Sequence, residues 1–253
     1  MESPVSSRQK THYERIHDDY GDHYYDLHSM AYRRRFVYEP MFEGLDLNGK
    51  RVADLACGSG MNSTGLLECF PRAEVEGFDI SSKACADYRR IIGRPAHEVD
   101  LSRDLRGPAR FDVAITDALH HCVSDLNQTL ENVASLLVPG GLLIMYEPNA
   151  DYFLEPARRF WYRHDRYFDA PTERALDHDS VLQLAGRRFK LLDVRYGGGP
   201  AYFLVLNSLL FRLPKSVKSL ISPSLFALED VFHALPGRKA FANFIARWER
   251  IAT

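Results

Sequence analysis

A glycine turn and two acidic residues have the spacing of a nucleoside-binding site. The segment VADLACGSG places Asp54 near the end of a predicted strand and Gly58 and Gly60 in the turn before a helix. Glycine lets the backbone approach a ligand closely, and a helix N-terminus offers unpaired N–H groups, so this turn suits a polar ligand. Nineteen residues after Gly60, a second predicted strand ends near Asp79, where a carboxylate can bind both hydroxyls of a ribose. The pattern predicts nucleoside binding.

The same turn argues against a dinucleotide cofactor. A dinucleotide site uses three glycines in the pattern G-x-G-x-x-G, and the third allows the helix to pack closely on the strand. Here Ser63 stands at the third position. The pattern therefore disfavours a dinucleotide-dependent dehydrogenase.

The elements that position these residues alternate between short apolar runs and helix-like stretches from Lys50 to about Asn207. This alternation is typical of a parallel sheet covered by crossover helices, so the predicted fold class is α/β. Helices are predicted to begin at Ser81–Ser82 and at Ser124–Asp125. The last connection, 197–200, is too short for a crossover helix, so the final two strands are expected to form an antiparallel hairpin. Seven strands are predicted, at 51–56, 73–80, 97–101, 111–119, 141–148, 189–197 and 201–207.

Composition indicates one globular domain. The 253 residues are 45% hydrophobic and 26% charged, with a formal net charge of −2, which excludes a fibrous or disordered chain and a surface built for nucleic acid. No zinc-site spacing connects the four cysteines, so no metal is predicted and the thiols indicate a reducing cytoplasm. The N-terminus contains no apolar stretch for export. The longest apolar run, 201–211, is too short to span a bilayer.

The order of the motifs resembles that of the class I S-adenosylmethionine-dependent methyltransferases over about residues 45–207. These motifs are Asp54 before the glycines, Asp79 after the second strand, TDALHH after the fourth, LLVPGG before the fifth, and the terminal hairpin. The resemblance implies a Rossmann-like, mostly parallel seven-stranded sheet with helices on both faces. It also implies that S-adenosylmethionine is the cofactor.

The resemblance implies a role for each matching residue in the cofactor site. The glycine turn would approach the methionyl part of the cofactor, and Asp54 would support its amino group. Asp79 would bind the ribose, Ile80 would pack on the adenine, and Asp117 would line the side that faces the acceptor. Ala56 stands where many members have glycine. The complete set is Asp54, Ala56, Cys57, Gly58, Gly60, Asp79, Ile80, Asp117 and, at the adenine edge, Asp100 and Leu101.

Each of these residues also has a simpler interpretation. An acid that closes a strand is often a turn or cap residue, which is the alternative for Asp54 and Asp79. Asp100 is followed by RDLRGPAR, whose cations could pair with it. Cys57 is small enough to be a packing residue.

Three residues are candidates for removing a proton from the methyl acceptor. Methyl transfer from a sulfonium requires alignment and exclusion of water, but a hydroxyl acceptor also requires a base. His120 and His121 follow the fourth strand at the carboxyl edge of the sheet, and Glu147 ends the fifth. The alternatives are a structural or substrate-contact role for the histidines and a salt bridge for Glu147.

We expect transfer of a methyl group to an oxygen atom of a small molecule. The alternatives are N- or C-methylation, and an inactive cofactor-binding regulatory or scaffold protein.

Both flanks differ from the core domain predicted at 46–207. Residues 1–45 are rich in Tyr and His and could form a lid in which Tyr20, Tyr25 and Arg33 meet the cofactor, or a helix packed on the sheet. Residues 208–253 carry seven Lys and Arg against three acids and contain Pro214, Pro223 and Pro236. This pattern predicts short amphipathic helices that contact an anionic membrane surface or cover a lipid-like substrate, or instead complete the core or a homodimer interface.

An insertion at 150–180 is expected to select the acceptor, because long loops at the carboxyl edge of a sheet shape substrate pockets. Its aromatic and charged side chains could form an amphipathic wall. The candidates are Trp161, Tyr162, His164 and Tyr167.

Overall fold

A computed structural model provides the structure of the protein. It describes residues 7, 8, 10–12, 14, 15, 26–103, 110–122, 125–165, 173–207, 211 and 213–252.

Within these residues the chain forms one seven-stranded sheet in the order β3-β2-β1-β4-β5-β7-β6. Neighbouring strands from β3 to β5 are parallel, and β7 is antiparallel to both β5 and β6. The predicted fold class is confirmed, including its antiparallel final pair. The strands are β1 (Arg51–Leu55), β2 (Glu74–Asp79), β3 (Ala96–Glu98), β4 (Phe111–Thr116), β5 (Leu137–Pro148), β6 (Phe189–Gly197) and β7 (Asn243–Arg250).

The position of the seventh strand in the sequence differs from the prediction. Residues 201–207 were expected to be a strand after a tight turn, but Tyr202–Leu206 is a π-helical turn. Its buried residues Tyr202, Val205 and Leu206 recur at helical spacing. The seventh strand is β7, and the whole segment 198–242 connects it to β6. The sheet therefore extends beyond residue 207, where the core domain was expected to end.

The described helices cover both faces of the sheet. Ser81 caps α4 as predicted, since its side chain accepts a hydrogen bond from the N–H of Ala84. Asp125 precedes α5, also as predicted. The helices are α1 (Leu27–Arg33), α2 (Glu39–Phe42), α3 (Met61–Cys69), α4 (Ser82–Ile92), α5 (Leu126–Leu136), α6 (Glu155–His164), α7 (His178–Ala185) and α8 (Lys215–His233), with a π-helical turn at Arg34–Tyr38 and a 3₁₀ turn at Leu119–His121.

The prediction that prolines divide the tail into short helices is wrong for Pro223, which lies inside the 19-residue helix α8. Proline removes one backbone hydrogen bond from a helix. The turn around it is supported by Ser222, whose hydroxyl donates to the carbonyl of Lys218 at 2.6 Å. None of the helices in the described ranges is long and apolar enough to cross a membrane.

The N-terminal segment 26–42 belongs to the hydrophobic core. Tyr32, Val37, Tyr38 and Met41 are buried against one face of the sheet. Tyr38 packs so tightly on α3 that a Cβ at Gly65 would lie 2.2 Å from its ring. This part of the chain therefore matches the expectation of a helix packed on the sheet.

Candidate functional site

A cleft opens at the carboxyl edge of β1, β2 and β4, where a parallel sheet offers its ligand site. Its volume of about 200 Å³ is several times the roughly 30 Å³ that one water occupies in the liquid. Most of the residues predicted from the sequence line it. They are Arg33, Ala56, Cys57, Gly58, Asp79, Ile80, Asp100, Leu101, Asp117, His120 and His121.

Three residues predicted for the cofactor or catalytic set, Asp54, Gly60 and Glu147, do not line this cleft. Asp54 and Glu147 are fully buried. Gly60 begins α3 with a φ of 96°, and a Cβ there would lie 2.4 Å from Ile92. Gly60 is therefore required for the turn to pack on α4, which a larger residue would prevent.

The glycine turn faces the cleft at Gly58. Its φ is 52°, and a Cβ at this position would meet no atom within 4 Å, so the missing side chain leaves open space. Ala56 also has a φ of 52° and is the only non-glycine residue with a positive φ in the described ranges. The left-handed conformation costs an alanine about 1 kcal/mol, which explains the preference for glycine at this position. The turn is therefore held in a strained shape beside the cleft.

Asp54 anchors the turn from inside the protein. Its Oδ2 atom accepts hydrogen bonds from the Ser63 N–H at 3.1 Å and the Ser63 hydroxyl at 2.6 Å. Its Oδ1 atom is buried and has no hydrogen-bond partner. Burial raises the pKa of the Asp54 carboxyl to about 7. Asp54 thus fixes the N-terminus of α3 and retains one unused acceptor below the turn.

Asp79 is oriented by the turn that it faces. Its Oδ2 atom accepts from the Gly58 N–H at 2.9 Å, and its Oδ1 atom accepts from the Ser81 N–H at 2.8 Å. These two bonds hold the carboxylate in one orientation. Asp79 therefore presents a fixed carboxylate on the cleft wall.

Asp100 and Leu101 form the far wall. The carboxylate of Asp100 accepts from the N–H and hydroxyl of Ser102, at 3.0 and 2.6 Å, and lies 3.6 Å from Arg103. The carbonyl of Leu101 accepts from Asn132 at 2.9 Å. The ion pair expected from the cations after Asp100 is thus present, and Asp100 still lines the cleft.

These walls fit the adenosyl group that the resemblance implies. The open space over Gly58 and the carboxylate of Asp79 on the cleft wall suit a ribose, and the apolar side chains of Ile80 and Leu101 suit a base. Cys57 also lines the cleft, but its thiol is buried against Gly77, and burial raises its pKa. Cys57 is therefore a packing residue.

His120 is held by the buried carboxylate of Glu147. The Nδ1 atom of His120 lies 2.8 Å from Oε2 of Glu147, which also accepts from the His120 backbone N–H at 3.1 Å. Oε1 of Glu147 accepts from the N–H of Leu119 at 2.7 Å. Burial alone would lower the pKa of His120, but the hydrogen bond and charge of Glu147, with the charges of Glu173 and Asp117, raise it above its usual value. Glu147 is thus a positioning residue for His120.

His121 differs electrically from His120. The two rings lie 3.8 Å apart between centroids. Burial and the neighbouring His120 and His12 hold the pKa of His121 well below its usual value. His121 is therefore neutral at pH 7, with no carboxylate comparable to Glu147 among the causes of its shift.

The N-terminal segment reaches the rim of the cleft. Arg33 is buried and pairs with Asp117 at 3.2 Å on the cleft wall. Lys10 pairs with Glu98 at the end of β3, and Glu14 lies 3.5 Å from the hydroxyl of Ser82 at the start of α4. Tyr20 and Tyr25 lie outside the described residues.

The insertion at 150–180 returns to His120. The N–H of Arg174 donates to the carbonyl of His120 at 3.1 Å, and Leu176 pairs with Asn149 after β5. Neither the contact of Arg174 with His120 nor the nearby Glu173 could be predicted, because more than 50 residues, including α5, β5 and α6, separate them from His120 along the chain. Trp161 packs 6.4 Å from Phe211, and neither it nor Tyr162 or His164 lines the cleft. Tyr167 is not among the described residues.

The sequence analysis also missed part of the lining. Met61 and Asn62 from α3, Ala84 from α4, and Val99 lie on the cleft wall. Met61 and Asn62 directly follow the predicted glycine turn, and this position next to the turn could have predicted that they line the cleft. No signal in the sequence distinguishes Ala84 or Val99 from other core residues.

Comparison with known proteins gives consistent results. The sequence profile of a family described as "Methyltransferase domain" matches residues 53–143. Mouse glycine N-methyltransferase is 28% identical over 48% of this chain and 50% of its own length. The malonyl-[acyl-carrier protein] O-methyltransferase of Legionella pneumophila is 23% identical over 92% of this chain and 82% of its own length. The chain spans about half the length of the glycine N-methyltransferases that it matches.

A solved structure extends the similarity to the fold of the whole chain. A protein from Thermotoga maritima, described as an S-adenosylmethionine-dependent methyltransferase and possible histamine N-methyltransferase, has a TM-score of 0.64. It is 16% identical, and the match covers 95% of this chain and 98% of that one.

Proposed function

We propose that this chain is a class I S-adenosylmethionine-dependent methyltransferase that transfers a methyl group to an oxygen atom of a small-molecule acceptor. His120 is the general base of this proposal, and Glu147 positions it. The insertion that returns at Arg174 shapes the acceptor side. All four cysteines are free thiols, which supports a location in the cytoplasm.

The arrangement of His120 and Glu147 is the observation that carries the proposal. A buried carboxylate that bonds Nδ1 of a histidine fixes the ring and its tautomer, and leaves Nε2 as the basic nitrogen of the neutral ring. His120 lies on the cleft wall, and the charge of Asp117 contributes to its raised pKa. A hydroxyl acceptor requires such a base, because an alkoxide or phenoxide attacks far more readily than its conjugate acid.

Bound S-adenosylmethionine supplies a methyl group that the positive charge on its sulfur activates. Asp79 binds the ribose hydroxyls, and Ile80 and Leu101 enclose the base. His120 would accept the proton of the acceptor hydroxyl at Nε2, which would leave the oxygen able to take the methyl group. Glu147 would stabilise the imidazolium that results. The ion pair of the buried Arg33 with Asp117 fixes part of the cleft wall.

N-methylation is the second candidate. The negative charges of three carboxylates, Glu147, Glu173 and Asp117, raise the pKa of His120. The negative potential of such carboxylates attracts an ammonium acceptor. Similar proteins are described both as N- and as O-methyltransferases. An ammonium acceptor must lose a proton before it can attack, so only an amine that reaches the site in its neutral form dispenses with His120 as a base. For such an amine, His120→Gln distinguishes the two candidates.

A screen of paired acceptors tests the proposal. The chain is incubated with S-adenosylmethionine and with hydroxyl compounds or the matching amines, and the methylated product and S-adenosylhomocysteine are measured by mass spectrometry. We expect methylation of a hydroxyl acceptor, with activity lost in His120→Gln. Methylation of amines alone, retained in His120→Gln, would reject the oxygen proposal. Cofactor binding without turnover of any acceptor would favour a regulatory or scaffold protein.

A further inference from the structure

Helix α8 buries polar residues and exposes apolar ones. On its inner side the ammonium of Lys218 pairs with Asp26 and donates to the Ser29 hydroxyl at 2.7 Å. Glu229 accepts from the Tyr32 hydroxyl at 2.9 Å and from the backbone N–H of Gly199 at 2.7 Å. These buried bonds fix the rotation of the helix about its own axis, so its other side must face outward.

The outward side of α8 carries a continuous apolar stripe. In a globular monomer, large aliphatic side chains normally face the core and single exposures need no explanation. Here four of them recur at helical spacing on one exposed face, and a fifth follows the helix, each between 40% and 81% exposed. The stripe consists of Val217, Leu220, Leu228, Val231 and Leu235.

The stripe is symmetric about Ser224. Val217 and Val231 each lie seven residues from Ser224, and Leu220 and Leu228 each lie four residues away. The half-buried Leu213 mirrors Leu235 at a distance of eleven residues. At these seven positions, from Leu213 to Leu235, the residue types have the same order in both directions, Leu, Val, Leu, Ser, Leu, Val, Leu.

From this symmetry we propose that α8 is the docking surface for a second copy of this chain, paired antiparallel and crossing at Ser224. A two-fold interface requires that residue i meets residue j while j meets i. In an antiparallel pair centred on Ser224, Val217 meets Val231 of the second copy and Leu220 meets Leu228. The small Ser224 side chain lies on the axis, where two helices must approach to about 8 to 10 Å.

The charges on this surface favour a protein over a lipid bilayer. An amphipathic helix on an anionic membrane carries a row of Lys and Arg beside its apolar face. The exposed side of α8 carries Lys215 near its start and Asp230 near its end, which is one charge of each sign. Other cations of the tail are engaged within the molecule, since Arg238 pairs with Asp179 and Arg247 pairs with Asp193.

A dimer interface on α8 would also need apolar surface beside the helix. A stable interface buries about 800 Å² on each partner, which exceeds what one helix supplies. Leu27 extends the apolar surface, because it is exposed and directly follows Asp26, which pairs with Lys218 near the start of α8. In the antiparallel arrangement this end of α8 lies against the Leu235 end of the second copy.

The mass of the full chain in solution tests the proposal independently of activity. Light scattering is measured over a concentration series for the parent chain and for Leu220→Glu. We expect the parent to have twice the mass of the 29.0 kDa chain, and Leu220→Glu to raise the dissociation constant of the dimer at least about thirtyfold. Ile91→Glu is the matched control, because Ile91 is an exposed aliphatic residue on α4 and its replacement should leave the mass unchanged.

Cysteine cross-linking tests the register. In a Cys69→Ser background, which removes the exposed native thiol, Ser224→Cys should give a disulfide-linked dimer under mild oxidation. Ser216→Cys is the control on the same helix. In the antiparallel pair the two residues at position 216 lie about 24 Å apart along the helix axis, at 1.5 Å per residue. Ser216→Cys should therefore run as a monomer on a non-reducing gel.

Three results would overturn the proposal. The first is a parent chain that stays monomeric throughout the concentration series. The second is cross-linking of Ser216→Cys as well as of Ser224→Cys, which would indicate a parallel pair. The third is a monomer that sediments with anionic phospholipid vesicles and loses this binding in Leu220→Glu, which would assign the stripe to a membrane.

Discussion

At the scale of single residues, the account depends on the unequal environments of two adjacent histidines. His120 is bonded to Glu147, whereas His121 is buried beside His120 without a carboxylate of that kind among the causes of its pKa shift. The sequence pattern HH could not distinguish them, because the carboxylate that does so lies 27 residues away on another strand. Only the register of β5 against β4 brings it to His120.

Replacing His120 should therefore affect catalysis more than replacing His121. Loss of a general base typically lowers the rate by a factor of about 10² to 10⁴. We expect His120→Ala to reduce kcat with a hydroxyl acceptor by this factor, measured as S-adenosylhomocysteine release, while S-adenosylmethionine still binds. His97→Ala, which removes a partly exposed histidine paired with Glu76, is the control and should retain activity. Full activity in His120→Ala would reject the base.

The pH dependence of the reaction should follow the raised pKa of His120. A base acts in its neutral form, so kcat/KM should increase with pH and level off above the His120 pKa, which lies above 6.5. Glu147→Gln removes the negative charge that favours the imidazolium, so the rise should move to lower pH. The measurement is a pH profile of kcat/KM for both proteins. An unchanged midpoint in Glu147→Gln would contradict the positioning role of Glu147.

At the scale of elements, short sequence patterns predicted the features that depend on neighbouring residues only. The glycine turn, the Ser81 cap and strands β1, β2 and β4 follow from short-range spacing, and the structure contains each. Strand β7 was missed because it is separated from β6 by 45 residues, and because FIARWER begins with three consecutive apolar residues and lacks the strict alternation that indicates a half-buried strand. Its pairing with β5 and β6 joins segments that are distant in the sequence, so no local pattern indicates it.

The packing of the N-terminal segment on α3 provides a test at this scale. A Cβ at Gly65 would lie 2.2 Å from the ring of Tyr38, which is buried on all sides. We expect Gly65→Ala to lower the free energy of unfolding by about 1 to 3 kcal/mol despite the better helix propensity of alanine. Chemical denaturation measures the change. Glu68→Ala on the exposed side of the same helix should change stability by less than about 0.5 kcal/mol, and equal effects in both variants would contradict the packing.

At the scale of the whole molecule, the summed charge of the tail does not describe the charge of its folded surface. The tail carries a local excess of four positive charges, which predicted a surface for anions. In the structure Lys218 is buried against Asp26, and Arg238 and Arg247 pair with acids elsewhere in the chain. A sum of charges along the sequence cannot reveal which of them neutralise one another after folding.

The overall arrangement of the site was more predictable than its outer parts. Parallel strands necessarily bring their carboxyl ends to one edge, so Asp79, Asp117 and His120 share a cleft whatever the intervening sequence. The acceptor side depends instead on the insertion and on the N-terminal segment, whose paths no short-range rule fixes. The contact of Arg174 with His120 is an example.

Calorimetric titration of the chain with S-adenosylmethionine and with NAD tests the central claim most directly. We expect S-adenosylmethionine to bind at one site per chain and NAD to give no heat of binding. Asp79→Asn should weaken the binding at least about tenfold, because the hydrogen bond of a ribose hydroxyl to a charged carboxylate contributes about 1.5 to 3 kcal/mol. Asp46→Asn, at an exposed loop position away from the cleft, should bind like the parent. Absence of heat with S-adenosylmethionine, tighter binding of NAD, or unchanged affinity in Asp79→Asn would contradict the account.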